Sequence, residues 1–268
     1  HCHGVEQDAT ILLGYRKKIN DSAVAFARKT KANVIFYEDK RPSPIVYHPN
    51  IVPPLIKQHT ITEPFLYLGD DCLLTKIPSY PEGEKVYVAD TASYISSTYV
   101  KKRSEEIFYK MCNIVGVDPE VVEANDKNCG GAQYLFNVVP NSTYWGKVEK
   151  DSEEILNLLE VYNKTAVNRI QAWTAGMWVM LWNLWLFNIE TETTKELAHA
   201  WPNYSSEELI KHNFFHNAGV TKERSDVLFF KGAYRTGEPP VNLVFDSRYC
   251  SAWYYEQVKQ GLKFFKQR

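Results

Sequence analysis

The stretch that most constrains the fold is a short apolar run that ends abruptly on two acidic residues. Phe65 to Leu68 has the composition of a buried β-strand, and Gly69-Asp70-Asp71 follows it directly. In an open α/β sheet, ligands bind in the crevice beyond the carboxyl ends of the strands. Two carboxylates at such an end suit Mg²⁺ or Mn²⁺ together with a phosphate. A polar turn after a strand is the alternative interpretation, and an Asp-Asp pair alone leaves both open.

Length and composition are those of an ordinary globular chain. The 268 residues are 44% apolar and 24% charged, which is enough for one large α/β domain or two small ones. The 31 basic and 32 acidic side chains nearly cancel, and this argues against a polyanionic partner such as nucleic acid. Aromatic residues make up 14% of the chain. Such side chains serve both as core fillers and as platforms for sugar rings.

The cysteines indicate a reducing compartment. There are five of them, widely spaced and without a C-x-x-C pair, as is typical of free thiols in an intracellular protein. His1-Cys2-His3 is most simply an N-terminal remnant, and no signal peptide is visible. The long apolar segment Ile170 to Phe187 contains polar residues and a glycine, which favours a buried helix over a membrane span. We therefore expect a soluble, cytoplasmic protein without a transmembrane segment.

The spacing of apolar residues predicts an α/β fold. Thr10 to Gly14 and Asn33 to Tyr37 have strand patterns, and Asp21 to Lys31 between them has helical spacing. A strand, a helix and a strand in this order predict a βαβ unit and a parallel sheet. Five prolines from Arg41 to Pro54 predict an irregular surface connection.

The middle of the chain contains a second acidic strand end. Lys85 to Ala89 predicts a strand that stops at Asp90. Gly130-Gly131 enters another strand, where glycine allows backbone to approach a neighbour closely, although a β-bulge or a tight turn is the alternative. Helices are predicted from about Ser97 to Val115 and from Thr143 to Tyr162.

Two late segments contain residues that can bind metal and phosphate. His216-Asn217, with Gly219 close behind, follows two phenylalanines, and Lys231-Gly232 follows the apolar run Leu228 to Phe230, which predicts a strand. A lone histidine is more often structural than a ligand. Beside an amide, glycines and a later lysine, however, it has the neighbours that a metal and a diphosphate require.

Together these segments resemble nucleotide-sugar-dependent glycosyltransferases of the GT-A type, especially the small ones of bacteria, phages and large viruses. The resemblance covers about 64–234. The resemblance rests on six segments: F-L-Y-L-G-D-D-C-L-L-T-K-I-P (65–78), D-T-A-S-Y-I (90–95), G-G-A-Q-Y-L-F (130–136), W-T-A-G-M-W (173–178), H-N-A-G-V (216–220) and F-F-K-G-A-Y (229–234). The fold that it implies is α/β and Rossmann-like, a mixed, mainly parallel sheet flanked by helices.

The resemblance also implies an activity and a domain organisation. It implies one domain over 1–268, with a nucleotide- and metal-binding half at about 8–140 and a helical, acceptor-binding half at about 141–268. The implied reaction moves a hexose, or a pentose such as xylose, from a nucleoside diphosphate donor to a glycan or another hydroxyl acceptor. The expected nucleotide of the donor is UDP, and the expected cofactor of the reaction is Mn²⁺ or Mg²⁺.

Carried onto this chain, the resemblance assigns roles to individual residues. The metal ligands are Asp70, Asp71 and His216. The residues assigned to the nucleotide are Lys231, Gly232, Gly219, Asn217 and Gly131, with Lys231 on the diphosphate. The residues assigned to the reacting sugar are Asp90 and Gln133.

Two departures from the family pattern leave questions open. The adjacent acids replace a D-x-D motif, so that Asp70, Asp71 or Asp90 could be the metal ligand. Gly176 stands where many such enzymes have an acid or an amide, and so the catalytic residue must come from elsewhere. Asp90 and Glu190 are the candidate bases for an inverting reaction, whereas a retaining reaction could proceed without one.

Two other functions remain possible at this point. Paired acids with a lysine also serve metal-dependent phosphohydrolases and nucleotidyltransferases. The aromatic content and Gly176 are compatible with a non-catalytic carbohydrate-binding module that only resembles a transferase. The sequence has no P-loop, no G-x-G-x-x-G and no nucleophile elbow, which argues against several commoner enzyme classes.

Overall fold

The structure is a computed structural model that describes residues 9–15, 17–39, 52–59, 61–69, 71–234 and 237–267. The strands are β1 (Thr10–Tyr15), β2 (Asn33–Glu38), β3 (Phe65–Leu68), β4 (Cys72–Leu74), β5 (Val86–Asp90), β6 (Gly130–Phe136), β7 (Thr191–Thr193), β8 (His199–Ala200) and β9 (Phe214–His216). The helices are α1 (Asp21–Lys29), α2 (Val52–His59), α3 (Ala92–Ile95), α4 (Ser97–Lys101), α5 (Glu105–Val115), α6 (Pro119–Ala124), α7 (Ser142–Asn163), α8 (Ala175–Leu186) and α9 (Cys250–Gln267).

The predicted βαβ unit at the start of the chain is confirmed. β1 and β2 pair in parallel, with Thr10 opposite Asn33. The side chain of Asn20 accepts a hydrogen bond from the backbone N–H of Ser22 and so caps α1, which satisfies one of the free donors at the helix start.

The sheets are mixed, but the expectation that they are mainly parallel is wrong. In the central sheet, of order β3-β6-β5-β7, β6 runs antiparallel to both of its neighbours and β5 runs parallel to β7. A three-stranded sheet has β4 antiparallel to β9 and β8 parallel to β9. Apolar periodicity identifies a strand but carries no information on its direction. The described fold is therefore mixed α/β, with open sheets and flanking helices.

Both faces of the central sheet are buried. Val86 and Val88 of β5 belong to the main core, together with residues of α5, α7 and α8. Tyr87 and Ala89 alternate with them and face a second core that includes Phe214 of β9. The helices therefore cover one face of the central sheet, and the three-stranded sheet covers the other.

The long apolar segment is a core helix, as expected. Trp178 and Trp182 of α8 are fully buried, which explains why the segment is apolar on nearly all sides. Among the described residues, no helix combines the length and the hydropathy needed to cross a bilayer. The four described cysteines, Cys72, Cys112, Cys129 and Cys250, are free thiols.

Three predicted elements differ from the structure. The helix expected from Ser97 to Val115 is divided into α4 and α5, because Ser104 caps a new helix through a hydrogen bond from Ile107 N–H at 3.2 Å. Pro53 and Pro54 lie in the first turn of α2, where the missing N–H groups would have no helical partner. The rest of the proline-rich segment, 41–51, lies outside the described residues.

The predicted strand from Leu228 to Phe230 is also wrong. The backbone N–H of Phe229 donates to Ser251 Oγ of α9 at 2.7 Å instead of to another strand. The Phe229 ring packs against Tyr254 and Tyr255 of the same helix. The apolar run therefore packs against α9, a helix that was not predicted from the sequence.

Candidate metal and phosphate site

Pairing of β4 with β9 brings the predicted acid and the predicted histidine together. Cys72 lies directly opposite His216 in this antiparallel pair. The backbone N–H of Asn217 donates to the carbonyl of Asp71 at 2.9 Å, so the pairing extends one residue beyond each strand. Asp71 therefore lies beside His216 at the end of the three-stranded sheet. Asp70 lies outside the described residues.

The Asp71 carboxylate has two cationic or polar partners. His216 Nε2 lies 3.1 Å from one carboxylate oxygen, and the ammonium of Lys231 forms an ion pair with the other. The side chains of Asp71 and His216 are 14% and 12% exposed, whereas that of Lys231 is 47% exposed. The site is therefore shielded on the histidine side and open on the lysine side.

These partners keep Asp71 ionised. Burial alone would raise the pKa of Asp71, but the hydrogen bond and charge of His216 and the charge of Lys231 outweigh it. Together they lower the pKa from 3.8 to about 2. A carboxylate binds metal in its ionised form, so Asp71 is in the required state at neutral pH.

Cys72 and Gln133 close the site on the side of the central sheet. Gln133 Nε2 donates to Cys72 Sγ at 3.2 Å, and this contact joins β6 to β4. Burial raises the pKa of Cys72 to about 12, so its thiol is neutral at physiological pH. Gln133 is fully buried, and its Oε1 has no partner among the described atoms.

The donor atoms fit a divalent cation. One oxygen of Asp71, the sulfur of Cys72 and one nitrogen of His216 lie within 4.8 Å of one another. In the described part of the chain, this is the one group of three such side chains close enough to share an ion. Carboxylate oxygen suits Mg²⁺ and Mn²⁺, whereas imidazole and thiolate suit later transition metals such as Zn²⁺. The donor set supports a metal site without deciding which metal occupies it.

Asp90 and Glu190 lie outside this group. Asp90 is exposed at the end of β5, and one of its oxygens accepts the backbone N–H of Ala92 at 3.0 Å. Glu190 adjoins the other end of β5, where its carbonyl accepts the N–H of Val86. Glu190 therefore does not reach the site as a base, while Asp90 stays available at the correct end of the strand.

The first glycine at the start of β6 has a packing role. A Cβ on Gly130 would lie 2.2 Å from Val88 Cγ2 and 2.5 Å from the carbonyl oxygen of Ala89. A side chain at this position would therefore require the backbone of β5 to move. A Cβ on Gly131 would come closest to the end of the flexible Met177 side chain, at 2.4 Å, so packing does not require a glycine there. Binding of a nucleotide to Gly131 stays a prediction.

The other residues predicted to bind the nucleotide lie near His216 and Lys231 in the chain. Asn217 is 1% exposed, and both polar atoms of its side chain lack a partner among the described residues. Gly219 has a left-handed backbone, with φ of 74°. A Cβ on Gly232 would lie 2.5 Å from the ring of Phe230. Lys231 begins a short 3₁₀ turn, Lys231–Tyr234, instead of ending the strand that was predicted before it.

Two aromatic neighbours of His216 were not predicted from the sequence. Trp201 stacks on the His216 ring at 5.5 Å, and the His199 ring lies 5.1 Å from it. His199 is 6% exposed, and both of its nitrogens lack a partner among the described atoms. Alternation along a strand places His199 and Trp201 on one face, but the pairing with β9 that brings them to His216 is visible only in the structure.

His199 should make the protein less stable in acid. Burial, helped by the nearby His216, lowers the pKa of His199 from 6.5 to about 3. Between these values the unfolded chain binds a proton that the folded protein rejects. The free energy of unfolding should therefore fall as the pH falls from 6.5 towards 3, by up to about 1.4 kcal/mol per pH unit.

Replacement of His199 by leucine should reduce that slope in urea unfolding measured from pH 7 to pH 4. The matched control is His212→Leu, because burial also lowers the pKa of His212 but His212 is only partly buried. Equal slopes in the wild type and in His199→Leu would show that His199 is not the responsible group.

Comparison of the chain with family models, with curated proteins and with solved structures gives no match. The interpretation of the site therefore rests on its geometry. That geometry joins an ionised carboxylate, an imidazole and a thiol to a half-exposed ammonium group. Such an arrangement can hold a divalent cation and bind an anionic oxygen next to it.

Proposed function

We propose that the protein is a metal-dependent glycosyltransferase that takes its sugar from a nucleoside diphosphate donor. The observation that supports this most is the contact of the Asp71 carboxylate with both His216 and Lys231. An acid at a strand end, a late histidine and a still later lysine form the set that the resemblance to GT-A glycosyltransferases implies. Asp71 and Lys231 are 160 positions apart in the chain, so their contact is not a consequence of sequence proximity.

Each residue of this set has a role in the proposed function. Asp71 and His216 hold the cation, which when bound supplies positive charge to the diphosphate leaving group. Lys231 pairs with Asp71 through the half-exposed end of a flexible side chain. Its ammonium group can therefore turn from the carboxylate to a phosphate oxygen with little change in the backbone.

The proposed reaction exchanges one bond at the anomeric carbon for another. The bond from this carbon to the diphosphate oxygen breaks, and its electron pair stays on that oxygen. A bond forms from the same carbon to the acceptor oxygen, whose proton must be removed. Asp90 is the exposed carboxylate at the end of β5, and it can accept this proton if the reaction inverts the anomeric configuration.

Phosphoryl chemistry receives less support from the structure. Two-metal phosphohydrolases and nucleotidyltransferases need several carboxylates around their ions. In the described residues, Asp71 is the one carboxylate of the candidate group. A single cation beside one lysine can stabilise a leaving diphosphate, as a glycosyltransferase requires. Activation of an attacking water in a two-metal enzyme would require a second cation and its ligands.

A donor screen tests the proposed function directly. The protein is incubated with a panel of nucleotide sugars, with and without Mn²⁺, and the products are identified by mass spectrometry. We expect metal-dependent release of the nucleoside diphosphate from one donor. Cleavage of simple phosphate esters, with no turnover of any nucleotide sugar, would favour a phosphohydrolase instead.

Loss of the Lys231 ammonium should weaken binding of the diphosphate. Lys231→Ala should reduce the affinity for UDP in the presence of Mn²⁺ by about 1–3 kcal/mol, or roughly 5- to 150-fold, the range of a charge-assisted hydrogen bond. Lys231→Arg should restore part of the affinity, because guanidinium keeps the charge but differs in shape. Isothermal titration calorimetry measures both.

Lys222→Ala is the matched control, since Lys222 is an exposed lysine at the start of another 3₁₀ turn and forms no described contact with Asp71. This variant should bind UDP as the wild type does. Wild-type affinity in Lys231→Ala would mean that Lys231 only balances the charge of Asp71.

A further inference from the structure

One tryptophan differs from all the others in its exposure. The chain has seven tryptophans, and Trp173 is the one whose surface is mostly accessible, at 55%. It lies in a 3₁₀ turn, Ala172–Thr174, that leads directly into α8. The next residues, Thr174 and Ala175, are fully buried. An indole ring is therefore presented to solvent by a backbone that is anchored in the core.

Tyr94 extends this exposed ring towards the candidate metal site. The rings of Tyr94 and Trp173 have their centres 6.1 Å apart and planes inclined by 32°. Tyr94 belongs to α3, which begins two residues after Asp90 at the end of β5. Asp90 pairs with Gly130 of β6, and Gln133 of the same strand donates to Cys72 Sγ of the candidate site. The two rings thus form an aromatic wall beside the end of β5, and β6 connects that end to Cys72.

The chemistry of this wall fits a sugar ring. An indole face offers a large, rigid apolar surface, and its exposure to water is unfavourable unless a ligand covers it. The apolar C–H face of a pyranose can stack on such a ring, while its hydroxyl groups need polar partners at the edge. The exposed carboxylate of Asp90 and the hydroxyl of Tyr94 are polar groups on the side of the candidate site.

We infer that Trp173 and Tyr94 form the acceptor subsite, on which a terminal pyranose ring of a glycan stacks beside Asp90. This inference rests on the proposed function, since the donor would occupy the adjoining site of Asp71, His216 and Lys231. The ligand class is a neutral sugar ring with an exposed apolar face. The nucleobase of the donor is the competing occupant, and the experiment separates the two.

The probe is a mixture of methyl pyranosides of glucose, galactose, mannose and N-acetylglucosamine. It is observed by saturation-transfer NMR with UDP and the diamagnetic ion Mg²⁺ present. We expect saturation transfer to the C–H protons of at least one glycoside in the wild type. Trp173→Ala should lower the affinity for that glycoside by about tenfold or more. Trp173→Tyr should retain most of the binding, because it keeps an aromatic face. Ile210→Ala removes another exposed apolar side chain, 71% exposed, and should leave glycoside binding unchanged.

Calorimetric titration of UDP with Mn²⁺ into the same variants separates the possible failures. We expect Trp173→Ala to bind UDP as the wild type does. If Trp173→Ala loses affinity for UDP, the ring stacks on the nucleobase and the inference is wrong. If no glycoside binds, or if binding is the same in Trp173→Ala, the inference also fails while the proposed donor site can stand. If glycosides bind through Trp173 but UDP and Mn²⁺ do not bind at all, the proposed function fails and a carbohydrate-binding site remains.

Discussion

Replacement of Asp71 by alanine should abolish the metal-dependent binding of UDP and leave the protein folded. Asp71 is the one described carboxylate of the candidate metal group, so its loss removes the only negatively charged ligand among the described residues. We expect a loss on the order of several kcal/mol, or at least about a hundredfold in affinity. The fold should survive because the partner Lys231 is 47% exposed and water can solvate its ammonium group. Calorimetry with and without Mn²⁺, together with a thermal unfolding curve, measures both effects.

Asp90→Ala is the control for this prediction. Asp90 lies at the end of the neighbouring strand β5 but outside the metal group, so this variant should keep the Mn²⁺ dependence of UDP binding. The opposite pattern, with Mn²⁺ dependence intact in Asp71→Ala and lost in Asp90→Ala, would transfer the ligand role to Asp90. That outcome would answer the question that the adjacent acids leave open.

Of the substitutions proposed for this protein, Trp178→Ala should lower the stability most. Trp178 is fully buried in α8, and its indole N–H donates to the carbonyl of Ile95 at 2.7 Å. Its ring also packs 6.4 Å from that of Tyr99. Truncation creates a cavity and leaves a buried carbonyl without its donor, so the free energy of unfolding should fall by about 3–5 kcal/mol. Urea unfolding followed by circular dichroism measures this change.

Two conservative variants separate the hydrogen bond from the packing. Trp178→Phe removes the bond to Ile95 together with part of the ring. Trp182→Phe removes a similar part of an equally buried ring, whose N–H has no partner among the described atoms. Trp178→Phe should therefore be less stable than Trp182→Phe by about 1–3 kcal/mol. Equal stability of the two variants would show that the bond to Ile95 contributes nothing measurable.

Local patterns in the sequence predicted helices and strands well where interactions between residues close in the chain determine the structure. The apolar spacing of α7 and the alternation of β1 and β2 are visible without the fold. The helix predicted to end near Val115 does end there, and Gly116 follows it with a left-handed φ of 75°, a conformation that costs glycine little. Pro53 and Pro54 predicted an irregular segment but lie in a helix, because proline in a first helical turn breaks no hydrogen bond.

The candidate site could be predicted only in part. Asp71, His216 and Lys231 were expected together because of a resemblance in their motifs, and the structure places them in contact. Cys72 lay within a quoted motif but was not expected to take part, and His199 lay outside every motif. Their proximity to His216 comes from the antiparallel pairing with β4 and the parallel pairing with β8.

The sequence by itself determined elements with strong local patterns, such as β1, β2 and α7, and which side chains have the chemistry of ligands. Only the tertiary structure decided strand direction, the register that sets Cys72 opposite His216, and the exposure of Trp173. The physical reason is the range of the interactions. Helix caps and apolar periodicity act within a few residues. The pairing of β4 with β9 joins residues more than a hundred positions apart, and the choice among alternative pairings depends on how the whole chain buries its apolar surface.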